Sequence, residues 1–343
     1  MDIKNHTPFQ VDRMAMTDRD GHDLLVLVLK ATFALNEEQT PLSTEEQQPI
    51  HLADTYHGEP GESSVEYAAD WAFDKRHAEF AVVGEAYPHP RLRRENRLSV
   101  QFGDLEKTVH LFGKRVWKKS FGFWKPTDPE PFESVPLRYE LAFGGTDRSH
   151  DEEKHHDWEN RNPVGTGFRA KYSRQPIEGA LLPQFEYPDQ LLKSPDDRPE
   201  PAGFGFLAPN WQPRVDHAGT YDERWQKERL PLLPEDFSSE HFDAVAPNQL
   251  MPFPMEGGQS VVLTGFTADN EPLALTVPQF KPQCRLARDS EDPSLCPLDL
   301  MRLTVNTQAR WYSLTYLAAF PVVGPYLDIT ELLFYCEGER VWA

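Results

Sequence analysis

Apolar residues run unbroken from Leu24 to Leu29 and resume after Lys30 with Ala31 and Phe33. The run lacks the polar alternation of a half-wet strand, so it predicts a β-strand covered on both faces and central in its sheet. Asn36 to Pro49 is polar, with Glu37-Glu38 and Glu45-Glu46-Gln47-Gln48, and reads as a solvated loop. Glu79 to Val83, Arg97 to Phe102, Lys107 to Phe112 and Leu137 to Phe143 are further strand candidates. Leu98 to Phe102 and Thr108 to Phe112 nearly alternate across Gly103-Asp104-Leu105-Glu106, which predicts a hairpin with one packed and one wet face.

Residues 144–259 follow another pattern. They hold 14 prolines and 10 glycines, interleaved with aromatics such as Trp158, Phe168, Phe204, Trp211, Trp225 and Phe242. Proline at that density excludes long helices and central strands, while a flexible linker has no use for so many aromatic rings. The segment is therefore read as ordered but irregular, a kind of structure that is usually functional. Thr220-x-x-Glu223 forms a capping box that predicts one short helix carrying Tyr221 and Trp225 and closed by Pro231 and Pro234.

Strand patterns return at Ser260 to Phe266, Pro272 to Val277, Met301 to Asn306 and Arg310 to Leu317, and Ile329 to Cys336 suits a strand or a short helix. The fold class is mainly β: sandwich or barrel-like sheets from an N-terminal region (1–143) and a C-terminal region (260–343) packed with it, and an irregular aromatic-rich segment (144–259) carrying short helices.

Composition narrows the function. Against 35 Lys and Arg stand 55 Asp and Glu, a net charge of −20 that repels phosphate backbones and anionic lipid, so neither nucleic acid nor membrane is expected as a partner. Three scattered cysteines (Cys284, Cys296 and Cys336) make no disulfide framework and point to a reducing compartment. The start of the sequence lacks a basic-then-apolar leader, and a cytoplasmic protein is expected.

Candidate chemistry is sparse. His150-Asp151-Glu152-Glu153-Lys154-His155-His156-Asp157 is dense in metal ligands, but its spacing pairs only Glu152 with His156, so a solvated loop is expected and no metal or cofactor is assigned. No nucleophile elbow, reactive-cysteine signature or phosphate-binding glycine loop occurs. With no nucleophile beside them, Asp216-His217 and Asp222 are expected to form a turn with hydrogen-bonded side chains, while a hydrolase whose site includes them and His150 stays open. The many aromatics on a β-rich acidic protein keep open a carbohydrate-binding module. Two basic stretches flank the expected hairpin, Arg93, Arg94 and Arg97 before it and Lys114, Arg115 and Lys118 after it; a solvated hairpin end is the simplest reading, and a docking patch for an acidic partner is the sharper alternative.

Seven motifs occur in order through the central segment: Gly144-Gly145-Thr146-Asp147, Asn162-Pro163-Val164-Gly165-Thr166-Gly167-Phe168, Pro201-Ala202-Gly203-Phe204-Gly205, Trp211-Gln212-Pro213-Arg214, Ala218-Gly219-Thr220-Tyr221-Asp222-Glu223-Arg224-Trp225, Leu233-Pro234-Glu235-Asp236-Phe237 and Ala246-Pro247-Asn248-Gln249. With flanking Leu29-Lys30-Ala31-Thr32-Phe33, Val83-Gly84-Glu85-Ala86-Tyr87 and Phe112-Gly113-Lys114-Arg115-Val116-Trp117, the chain resembles a bacterial family labelled only as a domain of unknown function and found with type VI secretion genes. Gly113-Lys114-Arg115 stands where that pattern has Gly-Asp-Arg, and Gly205-Phe206 where it has Gly-Pro. The resemblance implies a non-enzymatic effector adaptor or chaperone that binds a toxin and helps load it on the VgrG spike. The acidic charge suits a basic client such as a nuclease. Asn162, Pro163, Gly165, Trp211, Arg214, Tyr221, Asp222, Trp225, Asp236 and Phe237 are then the residues that contact the partner or scaffold the surface that does, with Arg214 expected to pair with Asp222 or Asp236.

Overall fold

The computed structural model describes residues 1–36, 38–288, 291–322 and 326–337. Six longer strands come from the first third of the chain: β1 (Asp2–Asn5), β2 (Gln10–Thr17), β3 (Asp23–Ala34), β4 (His77–Val83), β5 (Glu95–Phe102) and β6 (Leu105–Phe112). The middle adds β7 (Phe185–Glu186), the helix α1 (Glu223–Glu228) and β8 (Leu250–Pro252). The remainder supplies β9 (Ser260–Thr264), β10 (Leu273–Thr276), β11 (Lys281–Arg288), β12 (Glu291–Pro297), β13 (Asp299–Asn306), β14 (Trp311–Pro321) and β15 (Ile329–Glu337).

Three larger sheets result, beside small two-stranded ones, and each of the three mixes strands from distant parts of the sequence. A six-stranded sheet has the order β8-β4-β13-β14-β3-β2, a five-stranded sheet β7-β6-β5-β9-β10, and a four-stranded sheet β1-β15-β11-β12; none closes into a barrel among the described residues. Within these three sheets the described pairing is antiparallel except between β4 and β13 and between β1 and β15. Phe80 of the first sheet meets Phe102 of the second edge-on at 5.5 Å, and one apolar cluster takes in Phe80, Leu303, Phe102, Leu263, Cys284 and Phe334 from all three sheets. The fold is a sandwich-like β architecture.

β3 shows why its sequence does not alternate. Leu25, Leu27, Leu29, Ala31 and Phe33 enter the main core, while Leu24, Val26 and Val28 pack against Trp71, Ala72, Met301 and Leu317 on the other face. Both faces are covered, although β3 lies one strand in from the edge rather than at the centre. The loop after it is only partly solvated. Gln47 is buried and brackets Thr32, accepting from its N–H at 2.7 Å and donating to its carbonyl at 3.0 Å, as a neighbouring strand would.

The hairpin β5–β6 forms with a tighter turn than expected: Phe102 pairs with Leu105, and only Gly103 and Asp104 connect them. Leu137 to Phe143 is not a continuous strand: only its last residue lies in one, the two-residue strand Phe143–Gly144 beside Thr166–Gly167. It contains a short 3₁₀ turn, Tyr139–Leu141, because the Asn162 amide takes up the carbonyls of Tyr139 and Phe143 that a sheet partner would otherwise bond. Ile329–Glu337 is a strand, set between β1 and β11. Its neighbour β11 and the edge strand β12 beyond it escape the sequence pattern because Pro282, Pro293 and Pro297 break it. Pro293 and Pro297 are tolerated because β12 is an edge strand.

Candidate partner-binding site

The central motifs interlock. Asn162 is fully buried and donates through Nδ2 to Tyr139 O at 2.7 Å and Phe143 O at 3.0 Å, while its own carbonyl accepts from Gly145 N at 2.9 Å. A Cβ at Gly144 would meet Asn162 O at 2.1 Å, and one at Gly165 would meet Asn162 Nδ2 at 2.4 Å. Glycine is required at both because the first two motifs press backbone against the same asparagine. Pro163 and Gly165 complete that turn, which is closed by Gly165 N to Asn162 O at 3.2 Å. Gly203 packs in turn on the Tyr139 ring, and Trp211 stands edge-on to that ring at 5.9 Å, almost wholly buried.

Arg214 departs from its expected pairing with Asp222 or Asp236. It is buried and donates to Leu207 O at 2.6 Å and His241 O at 3.0 Å, with Asp54 at 3.5 Å as its counter-ion. The two aspartates have local work instead. Asp222, not Thr220, is the N-cap of α1 and accepts from Trp225 N at 2.8 Å. Asp236 accepts from Thr220 N at 2.9 Å and from its hydroxyl at 2.7 Å, and these bonds hold its carboxyl below the usual range. α1 is accordingly shorter than a capping box at Thr220 implies. Phe237 is buried against Phe73 and Phe242, whereas Tyr221 is half exposed and edge-on to Trp225 at 4.7 Å.

Residues outside the motifs fix this segment to the six-stranded sheet. Glu79 of β4 accepts through Oε1 from Lys75 Nζ and Ala244 N, both at 2.6 Å, and through Oε2 from Arg302 Nε at 2.6 Å. Arg302 also reaches Asp70 at 3.2 Å, Asp70 pairs with Lys30 at 2.8 Å, and Lys75 continues to Asp243 at 3.0 Å. All six charges are buried. Burial alone would raise the Glu79 carboxyl, but Arg302 and Lys75 outweigh it and hold the group at about 2. Charged residues within otherwise apolar strands, such as Glu79 between Ala78 and Phe80, were the available sequence signal.

Residues 20–316 match the family described as "Uncharacterized protein conserved in bacteria (DUF2169)". The chain belongs to this family. No curated protein and no solved structure matches it. In this DUF2169 member, the first four central motifs interlock around Asn162 and Tyr139.

Two other candidate sets lie elsewhere on the surface. Asp216, His217 and Asp222 each have a separate partner: Gln212 Nε2 at 3.3 Å from Asp216, Glu240 at 3.2 Å from His217, and the helix cap for Asp222. In the 150–157 loop, His150, Glu152 and His155 gather with ligand atoms within 4.8 Å, rather than Glu152 with His156. His156 Nε2 instead contacts His150 O at 2.8 Å, and Glu152 pairs with Lys154.

The two basic stretches do meet. Gly113 N donates to Arg94 O at 2.7 Å, which sets the turn bearing Arg93 and Arg94 beside Lys114. Arg93, Arg94, Arg97, Lys114 and Lys118 are exposed. Arg115 is not part of this surface: it is buried, pairs with Glu186, donates to Pro183 O at 2.8 Å and lies 3.7 Å over the Phe112 ring. No helix among the described residues is long and apolar enough to cross a membrane.

Proposed function

We propose that this protein is a non-enzymatic adaptor-chaperone that binds a type VI secretion toxin effector, stabilises it and loads it onto the VgrG spike. The observation that carries this reading is a set of large aromatic side chains left in solvent on a rigidly held irregular segment: Trp158, Tyr172 and Tyr221 are each 51% exposed. The same segment is fastened by buried Asn162, Trp211 and Arg214. Tyr172 and Tyr221 stand edge-on to His155 and Trp225, and aromatic side chains held in this way lose little conformational entropy on binding and are common anchors of protein interfaces. The ordered motifs of the central segment support the secretion context, and the net charge of −20 favours a basic client through complementary potential.

Affinity purification of the tagged protein from its native cells, followed by mass spectrometry, tests the reading. Recovery of a toxin and a spike protein is expected, with the toxin complex weakening as salt rises; recovery of neither would overturn the assignment.

A further inference from the structure

The stretch from Thr108 to Thr127 contains no Asp or Glu, in a protein with 20 excess negative charges. Within it Trp117–Ser120 pairs with Phe123–Pro126, placing Lys118 opposite Lys125 and Ser120 opposite Phe123 on one face. Phe121 and Gly122 make the connection, with φ of 49° and 87°. A two-residue turn with both central residues at positive φ favours Asn-Gly, and a bulky aromatic at its first position is strained. Packing does not compensate, because Phe121 is 98% and Phe123 71% exposed.

The base of this hairpin is firmly held. Trp117 is buried with Phe143, Leu182 and Leu192, and the strand that leaves the tip is tied down by Thr127 N to Val116 O at 2.9 Å. Lys119 lies over the Trp124 ring at 5.8 Å. No carboxylate among the described residues pairs with Lys118, Lys119 or Lys125. A rigid stem thus presents two bare aromatic rings surrounded by uncompensated ammonium groups.

We propose that this hairpin docks on an acidic protein surface containing an apolar recess, with Phe121 and Phe123 entering the recess and Lys118 and Lys125 pairing with carboxylates at its rim. The inference rests on the adaptor reading and names the point at which one of its protein partners seats. Charge complementarity selects the partner's sign, and two adjacent rings on a fixed stem are the kind of anchor that fills a pocket. A recessed protein site is favoured over an anionic bilayer because exposed Asp128, Glu130 and Glu133 follow the hairpin directly. A flat bilayer would draw these carboxylates towards like charge, whereas a recess takes the tip alone.

The test places the photo-cross-linking residue p-benzoylphenylalanine at position 121 of the full-length protein in its native cells. Cross-linked peptides are then identified, and the purified partner is titrated with wild type, Phe121→Asn and Lys118→Glu/Lys125→Glu. The inference expects an adduct within an Asp- and Glu-rich segment of a protein, and a loss of affinity of tenfold or more in both variants. Phe121→Asn is also expected to keep or raise the melting temperature, since asparagine suits the turn, which separates lost docking from lost folding. Absence of a protein adduct, or wild-type affinity in Phe121→Asn, would overturn it, as would binding to phosphatidylglycerol vesicles that is lost in the same variants. If wild type and Phe121→Asn recover toxin and spike equally, the docking inference fails while the adaptor reading stands; if wild type recovers neither and no adduct forms, both fail.

Discussion

Replacing Glu79 by Gln tests whether the buried charges hold the central segment on its sheet. The carboxylate accepts three short bonds, from Lys75, Ala244 and Arg302. A glutamine must turn an NH₂ group towards at least one of these donors, so Lys75 or Arg302 keeps only one of its two carboxylate partners, at a cost of about 3 kcal/mol near neutral pH. The cost has a pH signature. Holding the group at about 2 instead of 4.5 stabilises the folded state by about 3 kcal/mol above pH 4.5, and this contribution is lost as pH falls towards 2. At pH 3 about 2 kcal/mol of it has gone from the wild type, whereas the glutamine variant has none to lose. Urea unfolding followed by tryptophan fluorescence between pH 7 and pH 3 should therefore show the two proteins converging by about 2 kcal/mol. Parallel acid limbs, or a variant within 1 kcal/mol of wild type at pH 7, would refute the reasoning.

Three further outcomes are expected. Gly144→Ala should fail to accumulate as soluble protein or lose several kcal/mol in urea unfolding, because its Cβ meets Asn162 O, while Gly205→Ala, with only Leu137 O within 4 Å, should unfold within about 1 kcal/mol of wild type. Burial pulls the Lys107 ammonium down to about 7 from 10.5, so the folded state releases this proton before the unfolded state does. Stability should rise by about 2 kcal/mol between pH 7 and 9 in wild type relative to Lys107→Met, measured by urea unfolding. Burial pushes the Cys284 and Cys336 thiols up to about 12, so Ellman's reagent at pH 8 should react slowly with them in the folded protein and rapidly in denaturant.

The parts of this structure that are legible in the sequence are those set by near neighbours. The run from Leu24 to Phe33 declares a strand covered on both sides, and the paired alternation around Gly103 declares a hairpin. Arg214 is different: its partners Leu207 and His241 lie where no periodicity encodes the path of the backbone, so charge alone points to Asp222 or Asp236 and misses them. Glu79 and Arg302 meet only because β4 and β13 run side by side. Phe121 and Phe123 look like ordinary core residues until the hairpin is built and nothing covers them. The interlocking of Gly144 and Gly165 around Asn162 likewise needs coordinates, although the spacing of the motifs marks the residues involved.

β3 carries a consequence for how the protein is made. Phe33 pairs with Tyr312, and at ~5–20 residues per second the ribosome needs roughly 15–60 s to synthesise the intervening chain. For that interval one of the most apolar segments of the nascent chain can pair with β2 on one edge but has no native partner on the other. The same entanglement of early and late strands means that a ribosome stalled before β14 releases a product that cannot complete its main sheet, so production of this protein is expected to depend on general chaperones that shield unpaired strands.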